Sequence, residues 1–216
     1  MFFQYISSVQ FGLDLLEHKG ILTPENRQAL EKVPTCAQEA ALALGRFYEA
    51  GILTPENREL VIKYPKQSQD IAAAFAELNK EGILTEETRH QVIIHTEYAY
   101  DIAIALTRLN HVGIFTDIKN REQIYKYPEH AYTVAAAIAE LNSEGILTDD
   151  NRERVSQCQQ HAINVACALM RLKKRGILTD DNREQIICEL PYIDDFVSVL
   201  LDSVKDDESF SQFLSL

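Results

Sequence analysis

Apolar residues recur along the chain in two alternating helical patterns, one long and one short. The long pattern places apolar side chains four, seven and eleven residues before a glycine, as Leu78, Phe75 and Ile71 stand before Gly82. These spacings put the side chains on one stripe of an α-helix. The short pattern follows the glycine and keeps one apolar position, which is Val92 in that repeat. The pattern therefore predicts alternating helices of about fourteen and about ten residues, joined at the glycines.

The same short phrase follows six glycines at nearly constant intervals. It reads GILTPENR twice, then GILTEETR, GIFTDIKNR and finally GILTDDNR twice. The phrases begin at Gly20, Gly51, Gly82, Gly113, Gly145 and Gly176, which are 31, 31, 31, 32 and 31 residues apart. Such a period is typical of helical repeat arrays, although it differs from the about 34 residues of tetratricopeptide repeats and the about 33 of ankyrin repeats. We predict an all-α, right-handed α-solenoid of six repeats with a capping helix at each end.

Each phrase has the chemistry of a helix end followed by a helix start. Glycine suits the left-handed residue after a helix, and the following Ile can pack back on the last turn. Threonine can cap the next helix, which predicts N-caps at Thr23, Thr54, Thr85, Thr116, Thr148 and Thr179. The fourth phrase has one extra residue, and there we expect Asp117 at the first helical position.

Prolines and small residues complete the repeat. Prolines are expected to end four of the short helices, at Pro34, Pro65, Pro128 and Pro191. The third and fifth repeats lack this proline, so smoother junctions are expected there. Small residues stand eight positions before each glycine and predict close packing of neighbouring long helices: Gly12, Ala43, Ala74, Ala105, Ala137 and Ala168.

The predicted organisation is one solenoid domain over residues 1–216. Residues 1–19 form an N-terminal capping helix, 20–190 the repeats, and 191–216 a C-terminal capping helix with an acidic tail. Solenoid ends must cover an open core edge. At the N-terminus we expect Phe2, Phe3 and Tyr5 to do so.

Charge and composition exclude several classes of partner and location. The net charge of -12 disfavours nucleic acid, which is bound through Lys and Arg, and would attract a basic partner surface. No apolar run is long enough for a membrane span, and the N-terminus lacks the features of a signal peptide. The four cysteines form no CxxC pair and match no zinc spacing, which favours a reducing, cytoplasmic compartment.

No pattern of catalytic residues stands out. The six histidines show no HExxH spacing, and there is no phosphate-binding glycine loop and no GxSxG. Cys158 and His161 are three residues apart, which is weak evidence for a reactive pair. We therefore predict no catalytic residue, no cofactor and no metal site, and a protein that is not an enzyme.

An arginine recurs in all six phrases and invites two interpretations. It can form a row of guanidinium groups for a phosphate or an acidic peptide. It can also be structural, pairing with an acid or a helix-end carbonyl of an adjacent repeat. Recurrence in every repeat favours the structural interpretation, so we assign to the scaffold Gly51, Gly82, Gly113, Gly145, Gly176, Arg58, Arg89, Arg121 and Arg152.

The positions that vary between repeats are the candidates for function. Five residues before the glycine, arginine and glutamate alternate in a 62-residue super-period: Arg46, Glu77, Arg108, Glu140 and Arg171. This alternation indicates either salt bridges between repeats or a mixed-charge stripe for a partner. Tyrosine, which fills helix junctions but is also enriched at binding hot spots, clusters in the middle repeats. The predicted partner-binding residues are Tyr98, Tyr100, Tyr125, Tyr132 and Arg108.

Residues 20–190, with GILTPENR copies separated by alanine-rich helices, resemble the helical repeats of effector proteins from intracellular bacteria of the Legionella type. The resemblance implies passage through a type IV secretion system into the host cytosol. It also implies a C-terminal export signal of acidic and then apolar residues, matched by Asp206, Asp207, Glu208, Phe213, Leu214 and Leu216. It implies no catalytic residues.

The leading hypothesis is a protein-binding helical-repeat scaffold, with a monomer favoured. Uniform repetition without a chemically unusual repeat supports it. Two alternatives stay open: an enzyme with its site in the solenoid groove, and a module that assembles with itself through an uncapped end.

Overall fold

The chain is all-helical in the part that the structure describes. The computed structural model covers residues 2–188, 192–195 and 197–202, with side chains for 8–186, 192–195 and 197–202, and these residues contain no strand. The short helices each have nine residues: α2 (Pro24–Lys32), α4 (Pro55–Lys63), α6 (Glu86–Ile94), α8 (Ile118–Lys126), α10 (Asp149–Gln157) and α12 (Asp180–Cys188). The long helices are α1 (Phe2–His18), α3 (Ala37–Glu49), α5 (Ser68–Lys80), α7 (Ala99–His111), α9 (Ala131–Ser143) and α11 (Ala162–Lys174).

The helices pack in the order of the repeats. The chain divides into two compact units, residues 1–107 and 108–216. In the first unit α3 packs against α1 and α5, and the short helix α2 contacts α4. In the second unit α9 packs against α11, and α8 contacts α10. Within each unit, these helices thus meet their equivalents in the next repeat, which confirms the predicted all-α solenoid arrangement. Its handedness and the single-domain boundaries stay predictions.

The core consists of the predicted stripes of the long helices. Side chains four residues before each glycine are fully buried, and Phe47 and Phe75 place their ring centroids 6.1 Å apart. The small residues are buried as predicted, because the long helices approach closely. At Gly12 an added Cβ would lie 2.9 Å from the Ala37 carbonyl oxygen.

Each long helix ends in a left-handed glycine, as predicted. All six glycines have φ between 67° and 75°. At Gly82 the amide donates to the Asn79 carbonyl at 3.0 Å, and the Ile83 amide donates to the Leu78 carbonyl at 2.9 Å. This pair of bonds is the Schellman motif, which satisfies carbonyls that the helix end leaves open. Ile83 is buried at 6% exposure against the core.

Threonine caps five of the six short helices. In α4 the Thr54 hydroxyl accepts from the amide of Asn57 at 3.2 Å. The fourth repeat departs from the prediction, since its N-cap is Asp117 rather than Thr116, and α8 begins at Ile118. The extra residue of that phrase is thereby placed before the cap. The shift keeps Asn120 at the third helical position, where the other repeats hold their asparagine or threonine.

Proline is not what breaks the chain between short and long helices. Helices α2, α4 and α8 do end two residues before Pro34, Pro65 and Pro128, as predicted. However, the prolineless junctions are not smoother, because 3-10 turns at Thr96–Tyr98 and Gln159–His161 match those at Pro34–Cys36 and Pro128–His130. The expectation of smoother junctions was therefore wrong. The turn between the short and the long helix therefore forms with or without proline.

A buried asparagine ties each turn to the helix that follows it. Asn57 has no exposed surface, and its Nδ2 donates to the carbonyl of Ile52 at 2.6 Å. Its backbone N–H donates to the hydroxyl of Thr54, the N-cap residue. In the third repeat Thr88 substitutes, donating its hydroxyl to the Ile83 carbonyl at 2.9 Å. One side chain therefore closes the turn in every repeat.

The side-chain oxygen of this asparagine accepts a hydrogen bond from the recurring arginine of the next repeat. We call the resulting row of bonds the Asn–Arg ladder. Arg89 Nη2 donates to Asn57 Oδ1 at 2.6 Å, and its guanidinium lies 4.5 Å from the centre of the Phe75 ring. Two further rungs join Arg58 to Asn26 at 2.7 Å and Arg152 to Asn120 at 2.6 Å. In these rungs the arginine bonds to an amide oxygen, which the sequence does not predict. Arg152 also pairs with the Asp117 carboxylate of the preceding repeat at 3.1 Å, as the structural interpretation predicts.

The exceptions to the ladder follow from the repeat order. Arg27 belongs to the first short helix, has no earlier asparagine to meet, and is exposed. Arg121 donates to the Phe115 carbonyl at 2.7 Å, within its own repeat. In the last rung Asn151 Oδ1 and Arg183 Nε are buried without a hydrogen-bond partner, so this rung is open.

The two chain ends are described only in part. Helix α1 lies where the N-terminal capping helix is predicted, and residues 193–195 and 197–202 are helical near the other end. The capping role of both segments stays a prediction. The side chains of Phe2, Phe3 and Tyr5 lie outside the described residues, as does Pro191. So do the residues that match an export signal, Asp206, Asp207, Glu208, Phe213, Leu214 and Leu216.

We predict that Gly82→Ala lowers the free energy of unfolding by about 1–2 kcal/mol, because alanine resists the left-handed conformation. Nothing lies within 4 Å of an added Cβ, so the backbone conformation is the sole cause. Urea unfolding followed by far-UV circular dichroism measures the change. Gly82→Asn is the control and should lose less, since asparagine tolerates this conformation; equal losses would contradict the explanation.

We predict that Arg58→Ala destabilises the protein by about 1–3 kcal/mol, because it leaves the buried Asn26 oxygen without its donor. Arg27→Ala is the matched control: the same substitution at the same repeat position, but without a preceding asparagine. It should change stability by no more than about 0.5 kcal/mol. Urea unfolding of both variants tests this, and similar losses would show that the ladder bond is not the cause.

Candidate functional site

The first unit carries a groove on the outer face of its long helices. It encloses about 760 Å³ and is bordered by the C-terminal part of α3, the exposed face of α5 and the start of α7. Its lining residues are Arg46, Glu49, Ala50, Asp70, Ala73, Ala76, Glu77, Asn79, Lys80 and Tyr100. We call this site the α5 groove. A smaller cavity of about 110 Å³ adjoins it, since Arg46 and Glu49 line both.

Small side chains on α5 create the groove. Ala73 and Ala76 form its floor, and their methyl groups leave the helix surface low. Arg46 is exposed on one side, and Tyr100 stands 45% exposed on the other. An aromatic ring and a guanidinium group flanking an alanine floor are the kind of anchors that protein interfaces use.

The charges of the groove are paired unevenly. Glu49 bonds to Lys19, and Glu77 bonds to Lys80, with 3.4 Å between Nζ and Oε1. Arg46 makes no ion pair or hydrogen bond through its side chain among the residues that the structure describes, and nor does Asp70. The predicted salt-bridge row therefore does not include Arg46 and Glu77. Within the described part of the chain, the groove instead has one unpaired cation, Arg46 in the last turn of α3, and one unpaired carboxylate, Asp70 in the first turn of α5.

The second unit fills the equivalent position with its own side chains. Arg108 lies 5.8 Å from the centre of the Tyr132 ring and 3.4 Å from Glu140 Oε1. Arg171, one super-period further along, pairs with Asp194 at 3.3 Å. The salt-bridge interpretation of the alternating charges thus holds for Arg108 and Glu140.

The predicted partner-binding residues lie in different surroundings. Tyr100 lines the α5 groove, whereas Tyr132 and Arg108 contact each other in the second unit. Tyr98 is half-buried in the 3-10 turn before α7, and Tyr125 is half-buried in α8. Nine lining residues were not among the predicted binding residues: Arg46, Glu49, Ala50, Asp70, Ala73, Ala76, Glu77, Asn79 and Lys80. The signal that points toward this site is the alternation of Arg46 and Glu77, for which the sequence leaves open a salt bridge or a mixed-charge stripe for a partner.

Cys158 and His161 lie in one turn but do not form a reactive arrangement. The thiol is buried, which raises its pKa, and the positive charge of Arg154 offsets this only in part. The His161 ring lies 3.2 Å from the Gln160 amide nitrogen. A thiol with a raised pKa is a poor nucleophile near neutral pH. Among the described residues, no three His, Cys, Asp or Glu side chains gather so as to hold a metal ion.

The fold defines an all-α helical-repeat protein. Comparison with protein-family models, with curated proteins and with solved structures finds no match to this chain. Over the described residues, every helix is too short or too polar to cross a membrane. Functional reasoning therefore starts from the surface of this chain alone.

Proposed function

We propose that this chain is a protein-binding helical-repeat scaffold whose α5 groove takes a segment of its partner. The observation that carries the proposal is that an exposed, unpartnered Arg46 and the exposed ring of Tyr100 line the same groove. Arginine and tyrosine are over-represented among residues that dominate binding energy in protein interfaces.

The lining of the groove favours a peptide segment over a small apolar ligand. Its volume of about 760 Å³ falls within the range of small-molecule pockets. Such pockets are lined predominantly by apolar and aromatic side chains, however. Here six of the ten lining residues are charged or amide side chains, and the apolar surface comes from three alanines and Tyr100. Mixed polarity of this kind resembles the surface of a transient protein interface.

The setting proposed for this binding is the cytosol of a host cell. This part rests on the resemblance of the repeats to those of translocated bacterial effectors. The enzyme alternative draws little support from Cys158, since its thiol is buried and hard to ionise.

Affinity capture from host-cell cytosol tests the proposal with two matched double variants. The groove variant combines Arg46→Glu with Tyr100→Ala. The control combines Arg27→Glu with Tyr48→Ala, which makes the same chemical changes at exposed residues that do not line the groove. We expect the wild type and the control to retain a common set of proteins, and the groove variant to lose them by about tenfold or more, as loss of a hot spot does.

Circular dichroism spectra should show that both variants are as helical as the wild type. Capture of the same proteins in equal amount by the groove variant would contradict the proposal. So would a wild-type sample that retains nothing above the matrix alone.

A further inference from the structure

The three arginines of the super-period differ in whether the chain itself satisfies them. Arg108 has the Tyr132 ring and the Glu140 carboxylate, and Arg171 has the Asp194 carboxylate. Arg46 stands at the same position of its repeat and has neither. The comparison shows which chemistry this repeat position accommodates: a carboxylate, with an aromatic ring beside it.

Two substitutions between sister repeats explain why Arg46 is available. The residue equivalent to Tyr132 is Gln69, which lines the cavity beside Arg46 but offers no ring. The residue equivalent to Glu140 is Glu77, which is present but bonds to Lys80.

A single position decides which partner that glutamate takes. In the second unit Ser143 occupies the place of Lys80, and its hydroxyl bonds to the Glu140 carbonyl at 2.8 Å. The Glu140 carboxylate is therefore left for Arg108. In the first unit Lys80 holds Glu77, and Arg46 keeps its charge open to the groove.

We infer that the α5 groove binds an acidic segment of a partner protein that presents an aromatic side chain beside a carboxylate to Arg46. The inference rests on the proposed function and specifies the chemistry of its ligand. The carboxylate pairs with the Arg46 guanidinium, and the ring stacks on it as Tyr132 does on Arg108. Asp70, also available in the groove, excludes a segment that is acidic along its whole length.

The net charge of the chain does not oppose this assignment at short range. A charge of -12 repels acidic partners from a distance, but physiological salt screens exposed charges beyond about 8 Å. Two of the three acids that line the groove with Arg46, Glu49 and Glu77, already have lysine partners. The positive charge of Arg46 therefore determines that the group bound beside it is a carboxylate.

Peptide selection on the immobilised full chain tests the inference. A random-peptide display library is selected on the wild type and counter-selected on Arg46→Glu. The affinities of the enriched peptides are then measured by fluorescence polarisation. We expect peptides that pair Asp or Glu with Phe, Tyr or Trp, and a loss of affinity of about tenfold or more with Arg46→Glu. Arg108→Glu, which alters an arginine that is already partnered, should leave their affinity unchanged.

Two variants that leave Arg46 unchanged test whether Gln69 and Lys80 are what keep it available. Each introduces a residue from a sister repeat. Gln69→Tyr supplies the ring found in the sister repeat, and Lys80→Ser frees Glu77 for Arg46. Both substitutions introduce the residue that another repeat already carries at that position, so the fold tolerates them. Each should weaken binding of the selected peptides several-fold, and the double variant more than either.

The possible failures are distinguishable. Arg46-dependent peptides that are basic, or that lack aromatic residues, would overturn the inference and leave the proposed function standing. A library in which no peptide depends on the groove would overturn both. A synthetic peptide of residues 203–216 is tested alongside, because that segment is acidic and contains two phenylalanines. Binding as tight as that of the selected peptides would assign the groove to this chain's own C-terminal segment and overturn the assignment to a separate partner.

Discussion

A buried asparagine at the third position of five of the six short helices, replaced by Thr88 in the third repeat, is the residue on which the repeat depends. It closes the turn by donating to the carbonyl of the isoleucine, as Asn57 does to Ile52 at 2.6 Å. It then accepts the arginine of the following repeat, as Asn57 accepts Arg89 at 2.6 Å. A buried amide left with either group unpaired destabilises the fold by about 1–3 kcal/mol. The same side chain therefore specifies the turn within a repeat and the register between repeats.

Because the recurring residues form the turns and the contacts between repeats, the residues on the outer face of the long helices can differ from one repeat to the next. The residues that recur in every repeat are used by the turns, the caps, the close helix contacts and the ladder. The outer face alternates instead, with Gln69 or Tyr132 at one position and Lys80 or Ser143 at another. These two differences determine whether an arginine is satisfied within the chain or stands open in a groove. Arg46 and Arg108 thus differ in their partners through two residue changes and no change of scaffold.

The sequence predicted the local structure well because its signals are local. A glycine at the end of a helix and a threonine three residues later dictate their conformations through bonds to near neighbours. The exception, Asp117 in place of Thr116, arose because the third helical position must hold Asn120, a requirement that comes from the adjacent repeat. The prediction for the junctions without proline was also wrong, since they form the same 3-10 turn as those beside Pro34 and Pro128.

The candidate site was harder to predict because it depends on residues far apart in sequence. The alternation of Arg46 and Glu77 allowed either a salt bridge or a mixed-charge stripe for a partner, and only the position of Lys80 shows why the salt bridge does not form. The groove also requires two alanines on α5 between larger residues on α3 and α7, a combination that no single repeat displays. Tyr100 was selected from its residue type, whereas Arg46 was recognised only by comparison with Arg108.

A double-mutant cycle between Asn57 and Arg89 tests the central claim most directly. The free energies of unfolding of the wild type, Asn57→Ala, Arg89→Ala and the double variant are compared by urea titration. If the ladder bond couples successive repeats, the two single losses should exceed the loss of the double variant by about 0.5–3 kcal/mol. Losses that add to within about 0.3–0.5 kcal/mol would show that the two side chains act independently, and would contradict the account.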